Sequence, residues 1–469
     1  MKQTQYPRLS RRSLLLGATA ASLTTGLPAA FAALGREPIA IVARPGSAQL
    51  LGPDHPATSI WGFGGSAPGP VLRIRQGDEL AVAFTNQLPQ ASAIHWHGIR
   101  NDNRMDGVPR LTQAPVEPGE NFLYRFTPPD AGTFWYHPHE RSFEQVPRGL
   151  TGALIVEEPS PPHADQDLVL LINDWRLDGD GKLIETFGSR HDQAHAGRLG
   201  NWITVNGAPF AALPVKLNER VRLRLINACS ARILSLLLEG AAPKLIAVDG
   251  QPLGPTTSYG EALTLGPGNR IDLMLDVVGK PGGRIALTDT TGERLELGAL
   301  QIHATDRARA EPLVAPIALA ANPLSEPDRK DGLVVPLVMT GGAASETDMT
   351  ALVGSGPVWQ FNGKAAMEMA AMGSGEPLFR VSRGRTVHVR FENQTAWPHA
   401  MHVHGHHFRL LARQNGPPPQ PFWWDTLLVQ PGETSLIGFV ADNPGKWMLH
   451  CHMLDHQASG MDSWFEVLA

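Results

Sequence analysis

"RIRQGDELAVAFTNQLPQASAIHWHG", residues 73–98, lies without a gap over "RVSRGRTVHVRFENQTAWPHAMHVHG", residues 380–405. Asn86 leads to His95, His97 and Gly98 at offsets of 9, 11 and 12, and Asn393 leads to His402, His404 and Gly405 at the same offsets. A middle copy, "VKLNERVRLRLINACSARILSLLLEG", aligns around Asn227 but carries Ser235, Leu236, Leu237 and Leu238 where the others hold histidines. Runs such as "RLRLINA" and "TVHVRFEN" alternate polar and apolar residues with the period of two of half-buried strands. The repeat predicts an all-β chain of three related sandwich domains, the middle one without metal ligands in this strand pair.

Composition agrees. The 48 glycines and 40 prolines supply turns, and 42% hydrophobic with 18% charged residues describes an ordinary globular chain of more than one domain. A formal net charge of -5 provides no basic surface for nucleic acid. Cys229 and Cys451 are the only cysteines, so one disulfide is the ceiling and none forms if Cys451 holds a metal. Cys229, in an alternating strand of the middle copy, reads as a core residue.

The N-terminus reads as an export signal over residues 1–32. Ser10-Arg11-Arg12-Ser13-Leu14-Leu15 precedes a weakly apolar stretch broken by Gly17, Gly26 and Pro28, and Ala30-Phe31-Ala32 offers a small-residue cleavage site. A stable membrane anchor is not expected, because a spanning helix needs about 20 strongly apolar residues. The paired arginines resemble a twin-arginine signal, which carries folded proteins to the periplasm and suits a chain that takes up a cofactor before export.

Histidines carry the chemistry. Eighteen of them placed at random in 469 positions give roughly 0.7 His-x-His pairs. Five occur: His95/His97, His137/His139, His402/His404, His404/His406 and His450/His452. Residues i and i+2 of a strand share a face, so each pair delivers two imidazoles to one side of a sheet, and convergent neutral imidazoles bind borderline metals. His55, His163, His191, His195, His303, His388, His406 and His407 lack this support and read as ordinary polar residues, with His406 and His407 near enough to "HVHG" to contact ligands.

A second element repeats: Gly132 precedes His137 by five residues in "GTFWYHPH", as Gly445 precedes His450 in "GKWMLHCH". Pro138 binds no metal and Cys451 does, so a thiolate site is expected only in the third domain. If His450, Cys451 and His452 lie on a strand, the imidazoles face one way and the thiolate the other. On the thiolate side, His399, His456 and Met461 complete two imidazoles, a thiolate and a weak thioether, the donor set of a blue-copper electron-transfer centre. On the other side His95, His97, His137, His139, His402, His404, His450 and His452 are enough for a cluster of three ions, reached from the sulfur through a few bonds of backbone.

"HWHG", "HPH", "HAMHVH" and "HCHMLDHQASGM" resemble the four copper motifs of the multicopper oxidases, the family of laccases and bacterial cuprous oxidases. The resemblance spans nearly all of the mature chain. The stretch "MDGVPRLTQAPVEPGENFLYRFTPPDAGTFWYHPH" is similar to the compact three-domain bacterial branch that includes proteins named as manganese oxidases. The resemblance implies cupredoxin-like Greek-key sandwiches, here at 33–158, 163–308 and 335–469 with a linker at 309–334. It implies four coppers, and one-electron oxidation of a small reducing substrate or metal ion coupled to four-electron reduction of dioxygen to water. By motif, type 1 copper falls to His399, Cys451, His456 and Met461, and type 2 to His95 and His402. The type 3 pair takes His97, His137, His139, His404, His450 and His452, with the cluster between the first and third domains.

Dioxygen reduction consumes protons, so a carboxylate is expected at the cluster, and Asp106 in "RMDGVP" matches the acidic residue many members place there. Gln457 follows the last type 1 histidine where many bacterial relatives have glutamate, and an amide relays no proton. Electron transfer is assigned to Cys451 and His456, with an exposed edge of His456 implied as the point where electrons enter from phenols or aromatic amines. Met367, Met369 and Met372 in "AAMEMAAMG" read as packing rather than as soft ligands for Cu(I). A Mn(II) site would want hard carboxylates; Asp425 and Asp455 are candidates, though each reads first as a structural or surface acid. The chain is expected to be a monomer. The rival readings are a copper-free structural relative acting in cell division or envelope maintenance, a copper nitrite reductase and a copper store. The complete ligand set argues against the first, eight further histidines against the second, and the thiolate–imidazole wiring against the third.

Overall fold

Alternation decides which faces close. Leu72–Arg75 buries Leu72 and Ile74 and exposes Arg73 and Arg75, and Leu234–Glu239 buries Leu234, Leu236 and Leu238. The computed structural model describes residues 37–258, 262–315, 317–350, 356–365 and 375–469. The export segment and Met367, Met369 and Met372 lie outside the described residues.

Among the described residues six sheets pair off around the three large apolar cores. The first sandwich sets the sheet Thr58–Phe63, Ile39–Ala48, Leu80–Asn86, Asn121–Phe126 against the sheet Leu72–Arg75, Gly152–Glu157, Gly132–His137, His95–His97. Phe84, Tyr124, Trp96, Phe134 and Tyr136 fill the space between them. From Thr58 on the chain crosses between the two sheets, and the parallel pairs Ile39–Ala48 with Leu80–Asn86 and Leu72–Arg75 with Gly152–Glu157 mark a Greek-key path. The second and third sandwiches each join a six-stranded and a five-stranded sheet.

The asparagine that anchors the repeat does the same work three times. Asn86 Nδ2 donates to Gln90 O at 2.9 Å and Val116 O at 2.8 Å, while its Oδ1 accepts from Leu88 N at 3.0 Å. Asn227 donates to Arg232 O and Leu265 O and accepts from Cys229 N. Asn393 donates to Trp397 O and Val429 O and accepts from Thr395 N. Each buried amide therefore ties the turn that leaves its strand to a distant segment, fixing where the next strand starts.

Register then places the histidines. His95 stands opposite His137 in the first sandwich, and His402 opposite His450 with Met401 opposite Cys451 in the third. At the corresponding strand of the middle sandwich, leucines fill the core instead. Between Arg307 and Leu333 the described residues form no helix or strand. Asn322 fastens that stretch by donating to Ala131 O and Gln251 Oε1, both at 2.8 Å. Among the described residues no helix is long and apolar enough to cross a membrane.

Asn393→Ala strands two carbonyls and an amide in the interior, at about 1–3 kcal/mol for each unsatisfied group before local relaxation. The expected loss in urea unfolding is about 3 kcal/mol with an unchanged slope, and Asn227→Ala is expected to lose a similar amount. A loss below about 1 kcal/mol in both would refute the shared anchoring role.

Candidate metal centre

Eight imidazoles converge where the first and third sandwiches meet. Their ligand nitrogens form overlapping triples within 4.8 Å: His95/His97/His402, His95/His139/His404, His97/His137/His452 and His402/His404/His450. Rings from the two sandwiches interleave, His97 stacking on His402 at 3.8 Å and His95 on His404 at 4.0 Å. A fifth group unites His399, Cys451 and His456. The strand ends at Cys451, and its alternation sends the sulfur to this group while His450 and His452 turn into the cluster. Met461 is fully buried in the same core, and its carbonyl accepts from Cys451 N at 2.9 Å.

Gly98 and Gly405, which close the two "HxHG" motifs, both have positive φ (84° and 65°). A Cβ on Gly98 would run into Arg270 and Asp425, and one on Gly405 into Trp447, so neither tolerates a side chain.

Hydrogen bonds fix the tautomers. A carbonyl only accepts, so His95 Nδ1 donates to Asp106 O (2.7 Å), His402 Nδ1 to Asp425 O (2.9 Å), His450 Nδ1 to Cys451 O (2.9 Å) and His137 Nδ1 to Pro138 O (3.1 Å). His404 Nδ1 donates to Asp106 Oδ2 at 2.9 Å. In a neutral imidazole the other nitrogen is then a bare lone pair. Burial holds His97, His137, His139, His404, His450 and His452 well below the usual histidine value, so neutral rings are the stable form. The Nε2 atoms of His404 and His450 thus face each other at 3.0 Å with no proton between them, and His95 Nε2, His97 Nδ1, His139 Nε2 and His402 Nε2 have no partner.

The thiolate group repeats the pattern. His456 Nε2 donates to His195 O at 2.6 Å. The Thr395 hydroxyl, spent on Asn393 Oδ1, accepts from His399 Nε2 at 2.9 Å. Both Nδ1 atoms are therefore bare, 3.1 Å apart and 3.7 and 3.9 Å from Cys451 Sγ. Burial pushes the Cys451 thiol up to about 12, so a metal must displace its proton. Inward-facing bare lone pairs in a dry site repel one another unless a cation lies among them, and an imidazole–thiolate set is one that copper favours. The residues fit copper.

Three carboxylates border the cluster. Asp106 is fully buried; it accepts from His404 with Oδ2, from His95 with its carbonyl, and its Oδ1 has no hydrogen-bond partner. Asp425 Oδ1 accepts from His97 Nε2 at 3.2 Å and pairs with Arg270, whose Nη2 lies 2.7 Å from Oδ2. Burial alone would raise Asp425, but Arg270 and then His97 outweigh it and hold it well below the usual carboxylate range. Asp249 Oδ2 accepts from Asp425 N at 3.1 Å, and Oδ1 accepts from Arg270 N at 3.0 Å. Gln457 sits 3.4 Å from His139 Nδ1 and 2.9 Å from Ser142 Oγ, so an amide orients the ligand a glutamate would hold.

The sequence missed Arg270 and Asp249, charged residues of the middle sandwich whose aim toward the cluster no local pattern encodes. Asp425 and Asp455 are fully buried and engaged, which removes them as surface ligands for Mn(II). Of the isolated histidines, His407 donates to Asp249 O at 3.0 Å beside the cluster, and His406 packs against Trp447, Phe439 and Phe465. Cys229 is a buried core thiol as expected. One expectation is corrected: His456 has no exposed edge, because its outer nitrogen is sealed by the His195 carbonyl.

Depressed imidazole values set the pH response of the metal-free protein. Below the ordinary value of 6.5 the unfolded chain takes up protons that the folded cluster refuses, so stability is present above 6.5 and lost as pH falls. The melting temperature of metal-free protein is expected to drop steeply between about pH 7 and 5. A flat profile would mean the folded cluster accepts those protons.

The chain is similar to known proteins along most of its length. Three multicopper oxidase family profiles match residues 47–161, 166–287 and 343–469. The multicopper oxidase MmcO of Mycobacterium tuberculosis is 30% identical, over 94% of this chain and 90% of its own. The crystal structure of a multi-copper oxidase from Pseudomonas thermotolerans is 35% identical with a TM-score of 0.83, over 92% of this chain and 99% of that one. The crystal structure of Lac15 from a marine microbial metagenome is 40% identical with a TM-score of 0.74, over 92% and 100%. Matched by these profiles and relatives along nearly its whole length, and sharing cupredoxin-like sandwiches with them, the chain belongs to the multicopper oxidase family and couples copper-dependent oxidation to the reduction of dioxygen.

Proposed function

We propose that the protein is an exported, laccase-like oxidase carrying four coppers, built from domains at 33–158, 163–308 and 335–469 and delivered to the periplasm by a twin-arginine signal at 1–32. His399, Cys451, His456 and Met461 would hold a type 1 copper, and His95 and His402 a type 2 copper. His97, His137 and His452 on one side and His139, His404 and His450 on the other would hold a type 3 pair. The observation that carries this reading is the thiolate group, whose cysteine is covalently flanked by two histidines of the eight-imidazole cluster. A copper-free structural role is not favoured, since it leaves every bare nitrogen unexplained.

When bound, the coppers supply one-electron redox chemistry at the thiolate site and dioxygen binding at the cluster. The chain supplies the rest. Cys451 joins the two sites through single peptide units to His450 and His452. Asp106 anchors His95 and His404 and keeps Oδ1 available to carry a proton beside them, the group best placed to feed the four protons dioxygen reduction consumes. Asp425, held ionised by Arg270, orients His97 so that Nδ1 faces inward. Gln457 positions His139 without relaying protons. The reducing substrate, a phenol, an aromatic amine or a metal ion such as Cu(I) or Mn(II), gives up one electron at a time.

Cys451→Ser is expected to remove the blue absorption and all turnover while leaving the circular dichroism unchanged; persistent turnover would refute the route through sulfur. Asp106→Asn keeps the shape and removes the titratable oxygen. It is expected to slow reoxidation by dioxygen about a hundredfold while leaving anaerobic reduction of the blue site near the wild-type rate. Equal slowing of both steps would refute the proton role.

A further inference from the structure

Three successive residues of the third sandwich are bonded to the middle one. They open the five-residue helix Leu454–Ala458, which carries His456 and whose N-cap, Met453, makes no side-chain capping bond. Leu454 N donates instead to Ser230 O at 3.1 Å, Asp455 Oδ2 accepts from Arg198 N at 3.0 Å, and His456 Nε2 donates to His195 O at 2.6 Å. An isolated helix needs about 12 residues or more to persist in water, so this one takes its position from the neighbouring sandwich.

The segment that receives it is held in turn by the third sandwich. Trp359 Nε1 donates to Gln193 O at 2.6 Å, and Ala343 N donates to Ala194 O at 2.8 Å. Gln193, Ala194, His195 and Arg198 therefore each commit a main-chain group across the boundary. Gly197 closes the turn between His195 and Arg198 at φ 82°, where a Cβ would lie 2.5 Å from that of Ala231. Asp455 stands out in this contact. It is fully buried, its Oδ1 has no hydrogen-bond partner, and the bond from Arg198 N is the one its side chain makes among the described residues. Burying a carboxyl costs free energy that only a specific partner offsets, and the one partner here is the turn that leads to the His195 carbonyl.

We propose that Asp455 is a positioning residue for the thiolate site, holding the turn 195–198 so that the His195 carbonyl fixes the tautomer and ring plane of His456. The inference rests on the oxidase reading above and adds to it a control of that site by the middle sandwich. The carbonyl takes the outer proton of His456 and leaves Nδ1 bare, 3.9 Å from Cys451 Sγ. A turn released at Arg198 carries that acceptor away, and the ring loses the contact that aims its lone pair. Groups that orient a ligand from outside tune the geometry and potential of the metal it binds.

The test compares Asp455→Leu, which removes the acceptor at similar size, with Asp455→Asn, which keeps an oxygen for the Arg198 amide. In metal-free protein, hydrogen exchange at the Arg198 amide is expected to quicken about tenfold in Asp455→Leu and to stay near the parent rate in Asp455→Asn. In copper-loaded protein, Asp455→Leu is expected to widen the copper hyperfine splitting of the blue site and shift its reduction potential. Gly197→Ala is expected to do the same from the other side of the boundary, and Asp455→Asn to keep the parent splitting. Equal shifts in Asp455→Leu and Asp455→Asn would overturn the positioning role in favour of charge alone. Parent-like splitting in both Asp455→Leu and Gly197→Ala would reduce the contact to a fold contact and overturn it too. Absence of a blue band in the parent protein would overturn the oxidase reading, while exchange at Arg198 in metal-free protein still decides whether Asp455 holds the turn.

Discussion

Two pairs of unprotonated imidazole nitrogens held face to face constrain everything else in this protein. His404 and His450 meet at 3.0 Å and His399 and His456 at 3.1 Å, with each ring's proton committed to an acceptor on its outer side. Such lone pairs repel one another, and burying each without a partner costs about 1–3 kcal/mol. The surrounding sandwiches must supply that energy until a cation occupies the space. This explains why the acceptors are main-chain carbonyls, the buried Asp106 carboxylate and a Thr395 hydroxyl already committed to Asn393, and why the two "HxHG" turns leave no room for a Cβ.

The middle sandwich, which contributes no ligand, supplies much of that rigidity. Arg270 reaches across to Asp425 and Phe134, Asp249 clamps the Asp425 amide, and Asn269 donates to Thr426 O at 2.8 Å beside the His402 strand. The same domain carries the His195 carbonyl that seals His456. Without histidines in its copy of the repeat, this domain serves as a scaffold, holding the cluster through Arg270 and Asp249 and closing off His456 through the His195 carbonyl.

Strand periodicity and the repeat made the architecture legible. Asn86, Asn227 and Asn393 recur because each sandwich uses the same buried amide anchor, and the His-x-His pairs recur because strand alternation converts that spacing into a shared face. The twofold use of the 450–452 segment followed from the same alternation. What stayed hidden depends on contacts between sandwiches. Arg270 sits in an ordinary-looking run, "RIDLML", and nothing local tells that its side chain crosses to Asp425. His195 acts on His456 through its main-chain carbonyl, which any residue type carries, so the burial of His456 had no signature in side-chain identity.

The central claim is that the bare nitrogens exist to hold metal in two linked sites. Copper content of the purified protein, taken together with its visible and electron paramagnetic resonance spectra, tests it most directly. The account predicts about four coppers per chain, an intense blue thiolate absorption, and two paramagnetic signals of which one has the narrow copper hyperfine splitting of a thiolate site. Protein that folds normally yet takes up one copper or none after reconstitution, with no blue absorption, would contradict it.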